Sequence, residues 1–78
     1  LRGSISLKAL GLTIERFRTE QELSQAEVAK RIGLTPRELT RIESGKEEAR
    51  WGTLRDLADA LDVRLWELLL IAEQEGPG

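Results

Sequence analysis

LSQAEVAKRIGLTPRELTRIESG, residues 23–45, holds two helix starts and two helix stops, and the rest of the chain is organised around it. Ser24 offers a hydroxyl to the amides that open a helix, and Glu27, three residues on, reaches back to the cap amide; together they form an S-x-x-E capping box. Val28, Ala29 and Ile32 recur on one helical face until Gly33, the residue most tolerant of positive φ, closes the helix. Past the Gly33-Leu34 turn, Thr35 is a second cap and Glu38 completes a second box. Pro36 suits the first helical position, where its missing N–H has no partner. This second helix is expected over Pro36 to about Ser44, with Leu39 and Ile42 inward and Pro36, Arg37, Thr40 and Arg41 outward, and Gly45 ends it. The pattern predicts two short helices across a tight turn, which an ordinary helical hairpin would also satisfy.

Upstream, Leu7, Leu10, Ile14, Phe17, Arg18 and Gln21 share one face of a helix running from Leu7 to about Gln21. Gly11 lies inside it at a cost of up to about 1 kcal/mol against alanine, which close packing of a neighbouring backbone would explain. Leu12 falls off the core face. Arg18 falls on it, unusual for arginine unless it is paired; a solvated face is the alternative. Residues 1–6 carry little pattern and are expected to be a flexible N-terminal arm or a cloning remnant.

Downstream, KEEARWG (residues 46–52) is a short loop in which Glu47 and Glu48 accompany Lys46 and Arg50. Trp51 is expected to be buried at the start of helix 4, with stacking on a partner as the second reading. Helix 4, from Gly52 to Leu61, turns Leu54, Leu57, Ala58 and Leu61 inward. Asp62 tolerates the left-handed conformation after a helix, and Val63 then enters the core. Helix 5, about Arg64 to Gln74, sets Leu65, Leu68, Leu69 and Ala72 on one face and leaves Trp66, Leu70 and Ile71 outside it. A helix apolar nearly all round is normally covered on several sides, yet a small domain covers one side of its last helix. Residues 75–78 read as a disordered tail, so 7–74 is taken as the domain.

Seventy-eight residues suit one domain, near the size at which a single core suffices without staples. With no cysteine or histidine, disulfides, the usual zinc sites and Ser/His or Cys/His nucleophilic centres are excluded. No Gly-rich phosphate loop or supported carboxylate pair occurs, so no enzyme, cofactor or metal is expected. No apolar run approaches the roughly 18 residues of a membrane span, and a cytoplasmic protein is expected. The net charge of −2 argues mildly against a nucleic-acid partner. Its distribution argues the other way: residues 1–29, 30–50 and 51–78 carry net charges of 0, +2 and −4.

Leu23-Ser24-Gln25, Ala29, Gly33-Leu34, Leu39, Arg41-Ile42-Glu43 and Gly45-Lys46 resemble, at matching spacings, the Cro and phage-repressor (Xre-like) helix-turn-helix family. The resemblance continues without a gap from about Leu10 to Leu69, through Ile14, Arg18, Thr53-Leu54, Leu57-Ala58, Ala60-Leu61 and Val63. It implies an all-α, compact five-helix lambda-repressor-like DNA-binding domain with the helix-turn-helix at helices 2 and 3. It also implies a pairing of Arg18 with Glu43, joining helix 1 to helix 3. Gln25, Arg37, Thr40 and Arg41 become candidates for base contact, since arginine can read guanine and glutamine adenine in bidentate fashion. Ser24, Lys46 and Arg50 become candidates for phosphate contact. Pro36 and Glu38 depart from the small polar residues common at these places; Glu38 is assigned to the cap in preference to cytosine N4. Short members of the family pair through their last helix, so Trp66, Leu70 and Ile71 are the expected homodimer interface, the alternative being a Trp66 folded back on its own domain. The implied function is a transcriptional regulator reading a palindromic operator on double-stranded DNA as a dimer. The acidic balance keeps open an interaction module of the same fold, such as an antitoxin or regulator-binding protein.

Overall fold

The computed structural model describes residues 5–75 and contains five helices: α1 Leu7–Glu20, α2 Gln25–Ile32, α3 Pro36–Glu43, α4 Trp51–Ala60 and α5 Leu65–Glu75. Their boundaries are set by local chemistry. Both capping boxes form: the Ser24 Oγ accepts from the Glu27 amide at 3.0 Å while the Glu27 Oε1 accepts from the Ser24 amide at 2.8 Å. At the start of α3 the Glu38 amide donates to the Thr35 Oγ1 at 3.1 Å, and the Glu38 carboxylate accepts from the Thr35 amide at 2.8 Å. Glu38 is thus occupied as a cap. Gly33 closes α2 at φ +76, Gly45 turns the chain after α3 at φ +77, and Asp62 takes φ 56 after α4.

The helices surround one core in which Ile14, Leu39, Leu57, Leu61, Leu68 and Val28 are almost fully buried. α1 lies against both α3 and α5, α2 against α3 and α4, and α4 against α5. Because α1 has two neighbours, its buried surface is wider than the single stripe that periodicity assigns. Ala9 and Thr13 are buried as well, and the Thr13 hydroxyl is satisfied by donating to the Ala9 carbonyl at 2.8 Å. Gly11 is where α1 meets the end of α3. A β-carbon there would collide with the Glu43 carbonyl oxygen and lie 2.5 Å from that of Ile42.

Several expectations need correction. Ser6 and Ile5, assigned to the arm, belong to the folded domain: the Ser6 Oγ accepts from the Ala9 amide at 2.9 Å as the α1 cap, and Ile5 packs on the core. Residues 1–4 of that arm, and 76–78 of the expected tail, lie outside the described residues. Leu7, on the expected core face, opens α1 and is 38 % exposed. Trp51 is 63 % exposed rather than buried. It is the first residue of α4, where Ala49 from the preceding loop already packs on the core, so the indole projects from the helix end.

Helix propensity alone makes Gly11→Ala stabilising by about 1 kcal/mol. The backbone contact reverses the sign, and a loss of about 3 kcal/mol is expected, against about 1–2 kcal/mol for Gly33→Ala, where the penalty is the left-handed conformation alone. Thermal melts of the two variants decide the matter; a Gly11→Ala protein as stable as the wild type would mean that α1 and α3 can part without cost.

Candidate nucleic-acid interface

The exposed side of α3 follows from its buried one. Leu39, Ile42 and Glu43 are buried, so Arg37, Thr40 and Arg41, at three- and four-residue spacing, lie together on the outside. The two capping boxes fix where α2 and α3 begin and hence which residues occupy these positions. Hydrogen bonds from the Ser24 amide and then its hydroxyl hold the Glu27 carboxyl below the ordinary glutamate range. The Ser24 hydroxyl, a candidate for phosphate, is accordingly engaged in capping.

Behind this surface lies a polar network. The Arg18 Nε donates to Glu43 Oε2 at 2.7 Å and its Nη2 to Oε1 at 3.0 Å, a bidentate pair, while Nη1 donates to the Leu23 carbonyl at 2.8 Å. Both side chains are buried, with 10 % and 4 % of their surface exposed. The pairing raises the guanidinium's pKa, opposed by burial. Gln25, the first residue of α2, joins the same carboxylate: its Nε2 donates to Glu43 Oε1 at 2.8 Å. The Gln25 Oε1 in turn accepts from the Thr40 hydroxyl at 2.8 Å, and the Pro36 carbonyl lies 2.9 Å from that hydroxyl as a competing acceptor for its single proton. No buried side-chain nitrogen or oxygen among the described residues lacks a partner.

The candidate base readers therefore fall into two groups. Gln25 and Thr40 are tied to each other and through Glu43 to the core, so the glutamine amide has one N–H and part of its carbonyl left for a ligand. Arg37 and Arg41 extend from the α3 surface into solvent. The Arg41 Nε is met by Glu47 Oε1 at 2.9 Å, a half-exposed ion pair. Sequence reading missed this partner, because six residues across a glycine turn match no periodic rule. Lys46 and Arg50 are exposed in the segment that follows α3, and Lys46 is stapled there by its amide donating to the Arg41 carbonyl at 2.9 Å.

On α5, Trp66 is 61 % and Leu70 44 % exposed on one side of the helix. Ile71 is not part of that patch. It is half-buried and lines a shallow cleft with Thr13, Arg16, Phe17 and Glu20 of α1, since it lies a further 100° round the helix from Leu70.

The family model described as "Helix-turn-helix domain" matches residues 9–68. The chain belongs to that family. Among solved structures, this helix-turn-helix protein is similar to the restriction-modification controller protein C.AhdI from Aeromonas hydrophila, at 31% identity over 80% of this chain and 94% of that one, with a TM-score of 0.77. The clp gene regulator ClgR from Corynebacterium glutamicum matches at 25% identity over 88% of this chain and 73% of that one, with a TM-score of 0.84. The P22 c2 repressor, solved with a synthetic operator, matches at 25% identity over 77% of this chain and 91% of that one, with a TM-score of 0.72. Comparison with curated proteins gives no match. The architecture is that of an all-α DNA-binding transcription regulator of the Xre and controller-protein type. Among the described residues no helix is long and apolar enough to cross a membrane, and no cluster of potential metal ligands occurs.

The Arg18–Glu43 pair carries a test of its own. Arg18→Ala or Glu43→Ala strands a buried charge and is expected to cost about 3–5 kcal/mol, while the double replacement costs clearly less than the sum of the two. A double-mutant cycle by thermal unfolding measures the coupling, and small additive losses would assign the pair no structural weight.

Proposed function

We propose that this protein is a sequence-specific transcriptional regulator that inserts α3 into the major groove of a palindromic operator and binds it as a dimer. The observation that carries the proposal is the outer face of α3, where Arg37, Thr40 and Arg41 stand exposed on a helix braced from behind by a buried ion pair. A rigid helix with outward arginines is what base readout requires, since guanine recognition needs a guanidinium held to its O6 and N7 edge. Lys46 and Arg50 flank that face as phosphate contacts, and α2 crosses the backbone with its N-terminal amides toward it. The likeness to a restriction-modification controller and to an operator-bound repressor supports the same reading.

Selection of bound sites from random duplexes tests it directly. On the selected site, Arg37→Ala and Arg41→Ala are each expected to cost about 1–3 kcal/mol of binding with the fold intact, because neither side chain enters the core. The logarithm of wild-type affinity is expected to fall with that of salt by about 0.9 per phosphate neutralised. Wild-type affinity in both arginine variants would refute the groove assignment, and a flat salt response would favour the interaction module of the same fold.

For dimerisation, the support is the exposed Trp66 and Leu70, two large apolar side chains one turn apart on α5. An isologous contact buries the same patch on both subunits and spaces two recognition helices about 34 to 36 Å apart, one helical turn of DNA. Sedimentation is expected to show the wild type as a dimer and the double variant Trp66→Glu/Leu70→Glu as a folded monomer with weakened operator binding. A wild type still monomeric at high micromolar concentration would sink the dimer.

A further inference from the structure

The Glu47 carboxylate is an anomaly on the face proposed to meet DNA. It holds the Nε of Arg41 at 2.9 Å, and both side chains remain more than 40 % exposed, at 44% and 43%. Exposed pairs of this kind add little to stability, so folding does not account for it. DNA does not account for it either, because an acid at a polyanion's surface opposes association.

The backbone around Glu47 is held in place. Gly45 turns the chain at φ +77 with its backbone tight against α1, where a β-carbon would lie 2.7 Å from the Lys8 Cα. One residue on, the Lys46 amide donates to the carbonyl of Arg41 itself. The residue next to the carboxylate's own is thus tied by its backbone to Arg41, the residue bearing the guanidinium.

The chemistry of guanidinium explains what such an anchor does. The group offers five N–H donors in one plane. An acceptor on Nε restricts that plane and leaves the Nη1 and Nη2 edge, whose two parallel N–H bonds match guanine O6 and N7. A long arginine side chain loses rotamer freedom on binding, and one already held along its edge loses less.

We propose that Glu47 is a positioning residue for base readout: it presets the Arg41 guanidinium for one guanine, raising discrimination at that base pair at the expense of general affinity for duplex. This rests on the reading of α3 as the groove-entering helix. Its two effects have opposite signs, which separates it from a merely structural or merely electrostatic role.

The experiment compares wild type, Glu47→Gln, Arg41→Ala and the double variant on the selected site, on its single-base-pair variants and on a random duplex at one salt concentration. Glu47→Gln is expected to melt as the wild type does and to bind random duplex as tightly or more tightly. Its discrimination is expected to fall about fivefold or more, at the same single base pair that Arg41→Ala relaxes, with no further loss in the double variant. Three results overturn the proposal: discrimination unchanged in Glu47→Gln, discrimination lost evenly across the site, or the same loss persisting when Arg41 is absent. Tighter binding with unchanged discrimination belongs to the first and makes Glu47 an electrostatic brake. A wild type that fails to distinguish selected from random duplex overturns the regulator reading itself, an outcome separate from these three.

Discussion

A buried guanidinium and carboxylate, Arg18 on α1 and Glu43 at the end of α3, set the geometry on which the proposed DNA-facing surface depends. Taking both charges out of water is expensive, and the cost is offset only when every donor and acceptor finds a partner. Here no buried side-chain nitrogen or oxygen among the described residues lacks one: the carboxylate accepts from Nε, from Nη2 and from Gln25, while Nη1 reaches the Leu23 carbonyl between α1 and α2. The bidentate geometry tolerates little rotation of α3 about its axis. Gly11 adds a constraint of another kind at the same junction, since the α1 and α3 backbones are too close there for a β-carbon. An electrostatic lock and a steric one therefore fix the helix whose outer face carries Arg37, Thr40 and Arg41.

The network also carries this order outward. Gln25 is attached to the core through Glu43 and to the surface through Thr40, so one amide connects α2, α3 and the buried pair. A side chain tethered at both ends presents its remaining donor in one direction. The outward arginines are under weaker control, with Arg41 guided by a solvent-exposed acid and Arg37 extending from the first turn of α3. The surface thus joins a tethered pair, Gln25 and Thr40, to two arginines under fewer restraints.

How much of this was legible in the sequence depends on the range of the forces involved. Helix ends were readable because capping is chemistry within three residues: Ser24 with Glu27, Thr35 with Glu38, the left-handed Gly33, Gly45 and Asp62. The tight backbone approach at Gly11 could be inferred from the cost of glycine inside a helix. What failed depends on which neighbours a helix has. Thr13 and Ala9 are buried because α1 packs on two sides, Ile71 turns toward α1 and away from Trp66, and Trp51 lies beyond the end of the core that Ala49 closes. Glu47 reads from the sequence only as an acid in a loop beside Lys46 and Arg50, and its approach to Arg41 needed the path of the chain after Gly45.

The distribution of charge makes the proposed dimer more than an addition to the domain. The segment from 30 to 50 has a net charge of only +2, and the α4 and α5 region is acidic, with Asp56, Asp59, Asp62 and Glu67 around the corner between those helices. On the proposed reading one domain would neutralise few phosphates, and since phosphate contacts supply most of the non-specific affinity, a single copy is expected to bind duplex weakly. Linking two copies turns the second contact into an intramolecular one and multiplies affinity without new contacts. In the proposed arrangement Trp66 and Leu70 would set the protein concentration at which operator sites fill, while α3 would set which sites they are. Weak general attraction would then work in favour of selectivity, because a monomer would be held poorly everywhere and only a matched pair of half-sites would retain the dimer.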